Sequence, residues 1–118
     1  IKKNKRILLH NNGMNYRDFT YIDDLVKILI QTTKKIPTDK ILNICRSKPI
    51  KTTHLVNLIN KIYGNNKNKI INTGFVKGEM LKTHGSNSLL KKNFTNLKFT
   101  DLAFGLKKTV ATYKKFGY

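Results

Sequence analysis

Apolar and polar positions along this chain switch between two periods, and the switches mark its elements. Ile7 to His10 is a short apolar run that predicts a strand, ended by the loop Asn11-Asn12-Gly13. From Asp18, Phe19 and Tyr21 alternate with Thr20 and Ile22, which predicts a second extended segment running directly into a helix. In that helix Ile22, Leu25, Val26, Leu29 and Ile30 recur at helical spacing. Asp23 or Asp24 is placed to cap its start and to oppose the helix dipole, and Ile36-Pro37 closes the unit.

Further along, Ile41 to Cys45 (ILNIC) reads as a buried strand. A helix follows from about Thr52 to Tyr63, with Leu55, Leu58, Ile59 and Ile62 on one face, Thr52 or Thr53 as its cap and Gly64 as its stop. Asn65 to Lys69 is a polar turn before a brief strand at Ile70-Ile71, and positions 73–87 are loop-like. A short helix around Ser88 to Phe94 precedes a last helix from about Asp101 to Phe116. That helix is expected to be capped by Thr100, with Leu102, Leu106, Val110 and Tyr113 inward. The order predicts an α/β layer with a few short strands and three main helices. So few strands do not make a self-sufficient sheet, so the chain is expected to complete a larger structure.

Composition narrows the classes. At 118 residues the chain is at most one domain with a modest core, and its 39% hydrophobic content suits a folded α/β protein better than a disordered one. No apolar run is long enough to span a bilayer, so no membrane partner is expected. The single cysteine, Cys45, forms no internal disulfide, which fits a cytoplasmic protein. The net charge of +18 attracts polyanions in general. The lysines are scattered from Lys2 to Lys115, however, and no RNP, helix-turn-helix or zinc-finger pattern accompanies them. Abundant Lys, Asn and Ile also follow from A/T-rich codons. A small basic nucleic-acid-binding protein is therefore kept as a reading from another class, below a solvated basic surface with a local phosphate site.

Acids are few, six in all, yet three of them lie within GMNYRDFTYIDDLV, Gly13 to Val26. Arg17 stands at a strand entrance after a glycine-containing loop, where a guanidinium can fork onto two phosphate oxygens. The alternative is a surface ion pair with Asp18, which is otherwise placed to orient the guanidinium or cap the turn. Asp23 and Asp24 diverge by about 100° on a helix, so they form no carboxylate dyad, and capping stands ahead of acid–base catalysis. His10, His54 and His84 show no metal-ligand spacing, and His54 is expected to be exposed. There is no nucleophile elbow, Walker loop or GxGxxG, and Tyr63 with Lys67 reads as a chance spacing at a helix end.

The stretch NNGMNYRDFTYIDDLV resembles a segment of the NAD-dependent epimerase/dehydratases, the extended short-chain dehydrogenase/reductases that act on nucleotide sugars. It is most similar to that of the bacterial UDP-glucuronate 4-epimerases: Arg17 through Asp24 reproduce their Arg-Asp-Phe-Thr-Tyr-Ile-Asp-Asp, and Leu25 replaces an isoleucine. IKKNKRILLHNNG, ILNICRSKPIKTTHLVNLINKIYG, FVKGE and FTDLAFGLKKTVATYKKF are similar to the surrounding segments of that family, so the resemblance covers essentially residues 1–118 as one substrate-binding region.

The resemblance implies the C-terminal third of a Rossmann-type enzyme. Arg17 matches the arginine on the nucleotide diphosphate, Leu9 and His10 the strand end beside the base, and Glu79 the acid on the ribose hydroxyls. Lys77 neighbours Val76, which stands where relatives carry a basic residue. Other departures are Cys45 for a glycine and Gly85-Ser86 for Ala-Asp. The implied ligand is a UDP-sugar, in polysaccharide precursor synthesis, with a homodimer when complete. The implied cofactor, NAD, and the catalytic Ser/Thr with Tyr-x-x-x-Lys belong to an N-terminal half absent from this sequence. On that expectation the chain binds no NAD alone, has no catalytic residue of its own, and is a fragment, a broken gene product or a subunit completed by another chain. A nucleotide-sugar 4,6-dehydratase or decarboxylase is the second reading within the family.

Overall fold

The computed structural model describes residues 6–64 and 69–117. Among these, β1 (Ile7–Leu9), a turn at His10–Gly13 and β2 (Tyr16–Arg17) lead into α1 (Ile22–Lys34). β3 (Ile50–Lys51) continues directly into α2 (Thr52–Tyr63), and β4 (Ile70–Asn72), α3 (Ser88–Asn93) and α4 (Leu102–Phe116) follow. β1 pairs in parallel with β4, Ile7 opposite Ile70, and β2 pairs antiparallel with β3, Tyr16 opposite Lys51. The expected polar turn at Asn65 to Lys69 and the lysine of the Tyr63–Lys67 spacing lie outside the described residues, Lys69 excepted.

Helix ends show how side chains divide the work. Gly64 ends α2 with φ 81° and its N–H on the Asn60 carbonyl, a positive φ that glycine adopts without steric cost. The start of α2 differs from expectation, because Lys51 is the cap residue and Thr52 lies inside the helix, its hydroxyl donating to the Asn15 carbonyl at 3.0 Å. At α4 the cap is Asp101 rather than Thr100, its carboxylate accepting from Ala103 N–H at 2.9 Å. Thr100 is held from elsewhere. Both its N–H and its hydroxyl donate to the buried Asp24 carboxylate, each at 2.7 Å. Asp24 therefore caps no helix of its own; it ties α1 to the entrance of α4.

This tie turns α1 over. Asp24 and Ile28 are its buried residues, and Ile28 joins Leu90 of α3 and Phe94 in the main core, with Leu42, Ile44, Leu97 and Phe99 packed around them. Of the apolar stripe Leu25 is half-buried, whereas Ile22, Val26, Leu29 and Ile30 are 45–60% exposed. At about 100° per residue they lie roughly 100–200° around the helix from Ile28. The second correction concerns ILNIC. Residues 41–45 are extended, with Leu42 and Ile44 toward the core and Ile41 exposed, yet no strand pairs with them among the described residues. The alternation of a strand is present and its ladder is missing.

Candidate functional site

The turn after β1 brings the site together. Asn11, Asn12 and Gly13 all take positive φ, 49°, 51° and 67°, a run that asparagine tolerates and glycine favours. A Cβ on Gly13 would stand 2.5 Å from the Thr53 methyl, so the chain can pass here only as glycine. Asn11 and Asn12 donate their N–H groups to the carbonyls of Gly74 and Thr73, and Tyr16 donates to Leu81 and accepts from Thr83. Segment 70–83 therefore runs alongside segment 7–18, and residues distant in sequence face one another along this edge.

Arg17 leaves the end of β2 with Nη1 on the Tyr16 carbonyl at 2.8 Å and Nη2 at 3.5 Å from Glu79 Oε1. Glu79 follows a turn closed by its N–H on the Val76 carbonyl at 3.2 Å, with Gly78 at φ 83°. Its second oxygen, Oε2, is buried without a hydrogen-bond partner. A carboxylate with one oxygen on a guanidinium and one unpaired lacks the contacts that buried polar atoms ordinarily find. Both side chains remain about a quarter exposed, so this pair is an accessible polar edge rather than a sealed salt bridge.

Asp18, which sequence reasoning set beside Arg17 as its orienting neighbour, points away from it. Successive residues of an extended strand face opposite sides. Asp18 accepts from the Ser47 and Lys48 N–H groups at 2.9 and 3.2 Å, holding a loop in which Ser47 has φ 60°. The orienting partner of Arg17 is Glu79, a contact across the fold that no local pattern announces. His84 Nε2 lies 3.3 Å from Ser47 Oγ. Ser47 is no activated nucleophile, because the adjacent N–H groups that would hold an oxyanion already serve the Asp18 carboxylate.

The other sequence-derived positions spread along the same edge. His10 contacts Thr73 Oγ1 through Nδ1 at 3.0 Å and is exposed. Leu9 is buried, and its carbonyl accepts from Thr73 N–H at 2.9 Å, so it forms the floor rather than a reaching contact. Lys77 stands exposed in the turn before Glu79. Arg17 and Glu79 are brought into contact, His10 is held by Thr73 just past β4, and Lys77 stays in solvent. Two cavities among the described residues lie elsewhere, one of about 140 Å³ between Tyr21 and α4 and a groove of about 560 Å³ between α2 and α4. Neither includes Arg17 or Glu79, and the chemistry of the paired charges is the better guide to a polar ligand.

Two departures from the resemblance turn out to be one. Cys45 Sγ occupies the space of a side chain at position 85: a Cβ built on Gly85 would lie 2.6 Å from it. The cysteine that replaces a glycine and the glycine that replaces an alanine thus exchange volume across one contact. Burial and the nearby Asp18 carboxylate push the Cys45 thiol up from its usual pKa, against the opposing pull of the Ser47 N–H.

A dinucleotide site needs a glycine-rich turn between a strand and a helix N-terminus, where backbone N–H groups meet the pyrophosphate. Here β1 runs into a turn with no helix behind it, and β3 meets α2 at Lys51-Thr52 with no glycine. The described residues do not build a cradle for NAD.

No family model matches the chain. It is 36% identical over 88 residues to an uncharacterized protein of Methanocaldococcus jannaschii, across 75% of this chain and 27% of that one. It is 31% identical over 110 residues to UDP-glucuronate 4-epimerase 6 of Arabidopsis thaliana, across 82% of this chain and 24% of the relative. UDP-glucose 4-epimerase of Thermotoga maritima, solved with UDP-glucose, superposes with a TM-score of 0.80 at 22% identity, over 98% of this chain and 36% of that one. The chain thus spans about a quarter of the length of the curated relatives it matches. Its fold is α/β, and it is the fold of one portion of the Rossmann-type short-chain dehydrogenase/reductases.

Proposed function

We propose that this chain supplies the nucleotide-sugar-binding wall of an NAD-dependent nucleotide-sugar 4-epimerase of the UDP-glucuronate epimerase kind, a cytoplasmic enzyme of polysaccharide precursor synthesis. The observation that carries the reading is the Arg17–Glu79 pair, an arginine and an acid drawn together by the pairing of segments 7–18 and 70–83. A nucleoside diphosphate fits both. The guanidinium forks onto diphosphate oxygens, and the quarter-exposed Glu79 carboxylate accepts from the vicinal hydroxyls of a ribose. His10 and Leu9 border the same edge where the base lies, and Lys77 adds positive charge at its rim. NAD and the Ser/Thr-Tyr-Lys chemistry come from polypeptide beyond these residues. NAD would supply hydride-transfer chemistry from a site outside the described residues.

Isothermal titration of the 118-residue chain with UDP tests the reading. Arg17→Ala is expected to weaken binding by about 1.5–3 kcal/mol, the range for hydrogen bonds to charged groups, which is roughly 10- to 150-fold. Glu79→Gln is expected to weaken UDP by more than it changes inorganic pyrophosphate, which offers no ribose hydroxyls. Equal UDP affinity in wild type and Arg17→Ala would sink the assignment.

A further inference from the structure

α2 and α4 run side by side in the same direction: Leu55 shares a cavity with Leu102 and Leu106, and at the other end Lys114 lies over the Tyr63 ring. Between them is the groove of about 560 Å³. Its floor is apolar. Leu58 and Ile62, one turn apart on α2, face Val110 of α4, and all three are half-buried. Ala103 and Ala111 stand along the α4 wall, where longer side chains would fill the trough. The rims are cationic, with Lys61 on the α2 side and Lys107 and Lys114 on the α4 side, all exposed. Lys114 Nζ, 4.8 Å from the Tyr63 ring centroid, reaches across and bounds one end.

No carboxylate answers these lysines. Neither α2 nor α4 contains Asp or Glu, and the ion pairs among the described residues are Arg17–Glu79 and Arg46–Asp101, both elsewhere. Shape and charge together select an occupant. A bilayer surface is flat and does not reach the floor of a trough, and a nucleic-acid backbone offers phosphates without an apolar ridge to fill it. A helix with leucines along one stripe and glutamates on either side satisfies floor and rims at once. Ala103 to Lys114 is a run of about 16 Å, so three turns of such a helix cover it.

We infer that the trough between α2 and α4 is a docking groove for an acidic amphipathic helix of a partner protein, its apolar stripe seated on Leu58, Ile62 and Val110 and its carboxylates on Lys61, Lys107 and Lys114. A second copy of this chain does not supply that helix. Among its own described helices only α1 contains acids, Asp23 and Asp24, and Asp24 is buried. The net charge of +18 also opposes self-association. The groove is separate from Arg17 and Glu79, so the inference does not rest on the nucleotide-sugar reading.

The test titrates the 118-residue chain into a fluorescein-labelled peptide of four helical turns with a leucine stripe flanked by glutamates, read by anisotropy. A peptide of the same composition, reordered to break the stripe, is the control. At salt high enough to screen diffuse attraction, the striped peptide is expected to bind about tenfold tighter than the control. Ala111→Leu keeps every charge and fills the trough, and is expected to weaken the striped peptide about tenfold without changing the control. Lys107→Glu combined with Lys114→Glu is expected to abolish binding of the striped peptide and to accept its counterpart with lysines in place of glutamates. All three positions are exposed, so both variants are expected to keep the wild-type melting temperature. Equal affinity for the two peptides, or no response to Ala111→Leu, would overturn the inference, because the attraction would then be that of a basic surface in general. Binding to phosphatidylglycerol vesicles that the lysine variant loses, with no preference between the peptides, would assign the face to a lipid surface and overturn it as well.

Discussion

On one side of α1, an aspartate and an isoleucine are sealed against Thr100, Leu90 and Phe94; on the other, four aliphatic side chains stand in solvent. The greater hydrophobicity lies on the open side. The difference teaches that the orientation of this helix within the chain is set by a polar anchor, not by its apolar stripe. Asp24 satisfies two donors at the α4 entrance, and leaving them unpaired in a buried place would cost more than exposing a few aliphatic groups that another surface can cover.

The sharpest way to break the comparison is to truncate one leucine from each side. Leu90→Ala is expected to cost about 2–5 kcal/mol in urea denaturation, while Leu29→Ala, on the open side, stays within about 0.5 kcal/mol. Equal losses would mean that the two sides are packed alike. Next in size, Asp24→Ala is expected to lose about 1.5–3 kcal/mol while its neighbour Asp23→Ala changes little, the two separating anchor from solvated charge. Smaller again is the exchange of volume between Cys45 and Gly85. Gly85→Ala alone is expected to cost about 1–3 kcal/mol by overpacking against the sulfur. Combined with Cys45→Gly it should recover much of that loss, and a double-mutant cycle that sums additively would refute the contact.

The smallest effect is expected at the exposed counterpart of Asp24. Asp101 has its carboxyl pKa lowered, first by the Ala103 N–H, then by the Phe104 and Leu102 N–H groups and by Arg46, with partial burial opposing. A depressed folded-state pKa gives stability that is present above the unfolded carboxylate value and is lost as pH falls through the folded one. Melting temperature should therefore decline in acid below the ordinary aspartate range, and Asp101→Asn should flatten that decline only slightly, since water screens the site.

Much of the fold is legible from local signals. Gly64, the span of α4 and the Arg17 position follow from stop residues, periodicity and a motif, all of which act within a few positions. What sequence reasoning missed depends on contacts across the chain. Nothing beside Asp24 announces that it will reach Thr100, and nothing beside Arg17 announces Glu79. The spacing of α1 likewise finds an apolar stripe and cannot say which neighbour covers it. ILNIC carries the alternation of a strand, yet a strand is defined by a partner, and none is found among the described residues. Within the site, the Arg-Asp pair was legible as a unit, and the alternation of extended backbone then sent its two halves to different loops.

The Asp24–Thr100 tie also has a kinetic side. It joins positions 76 apart in the chain, and closing a loop of that length costs about 4 kcal/mol in chain entropy before the anchor returns anything. The β1–β4 pairing, Ile7 opposite Ile70, must close over a similar span. Folding is thus dominated by distant contacts and belongs at the slower end for a chain of this size. Until both loops close, the apolar stripe of α1 and residues 41–45, which pair with no strand among the described residues, are exposed together, so the order of closure helps decide whether the chain folds or aggregates.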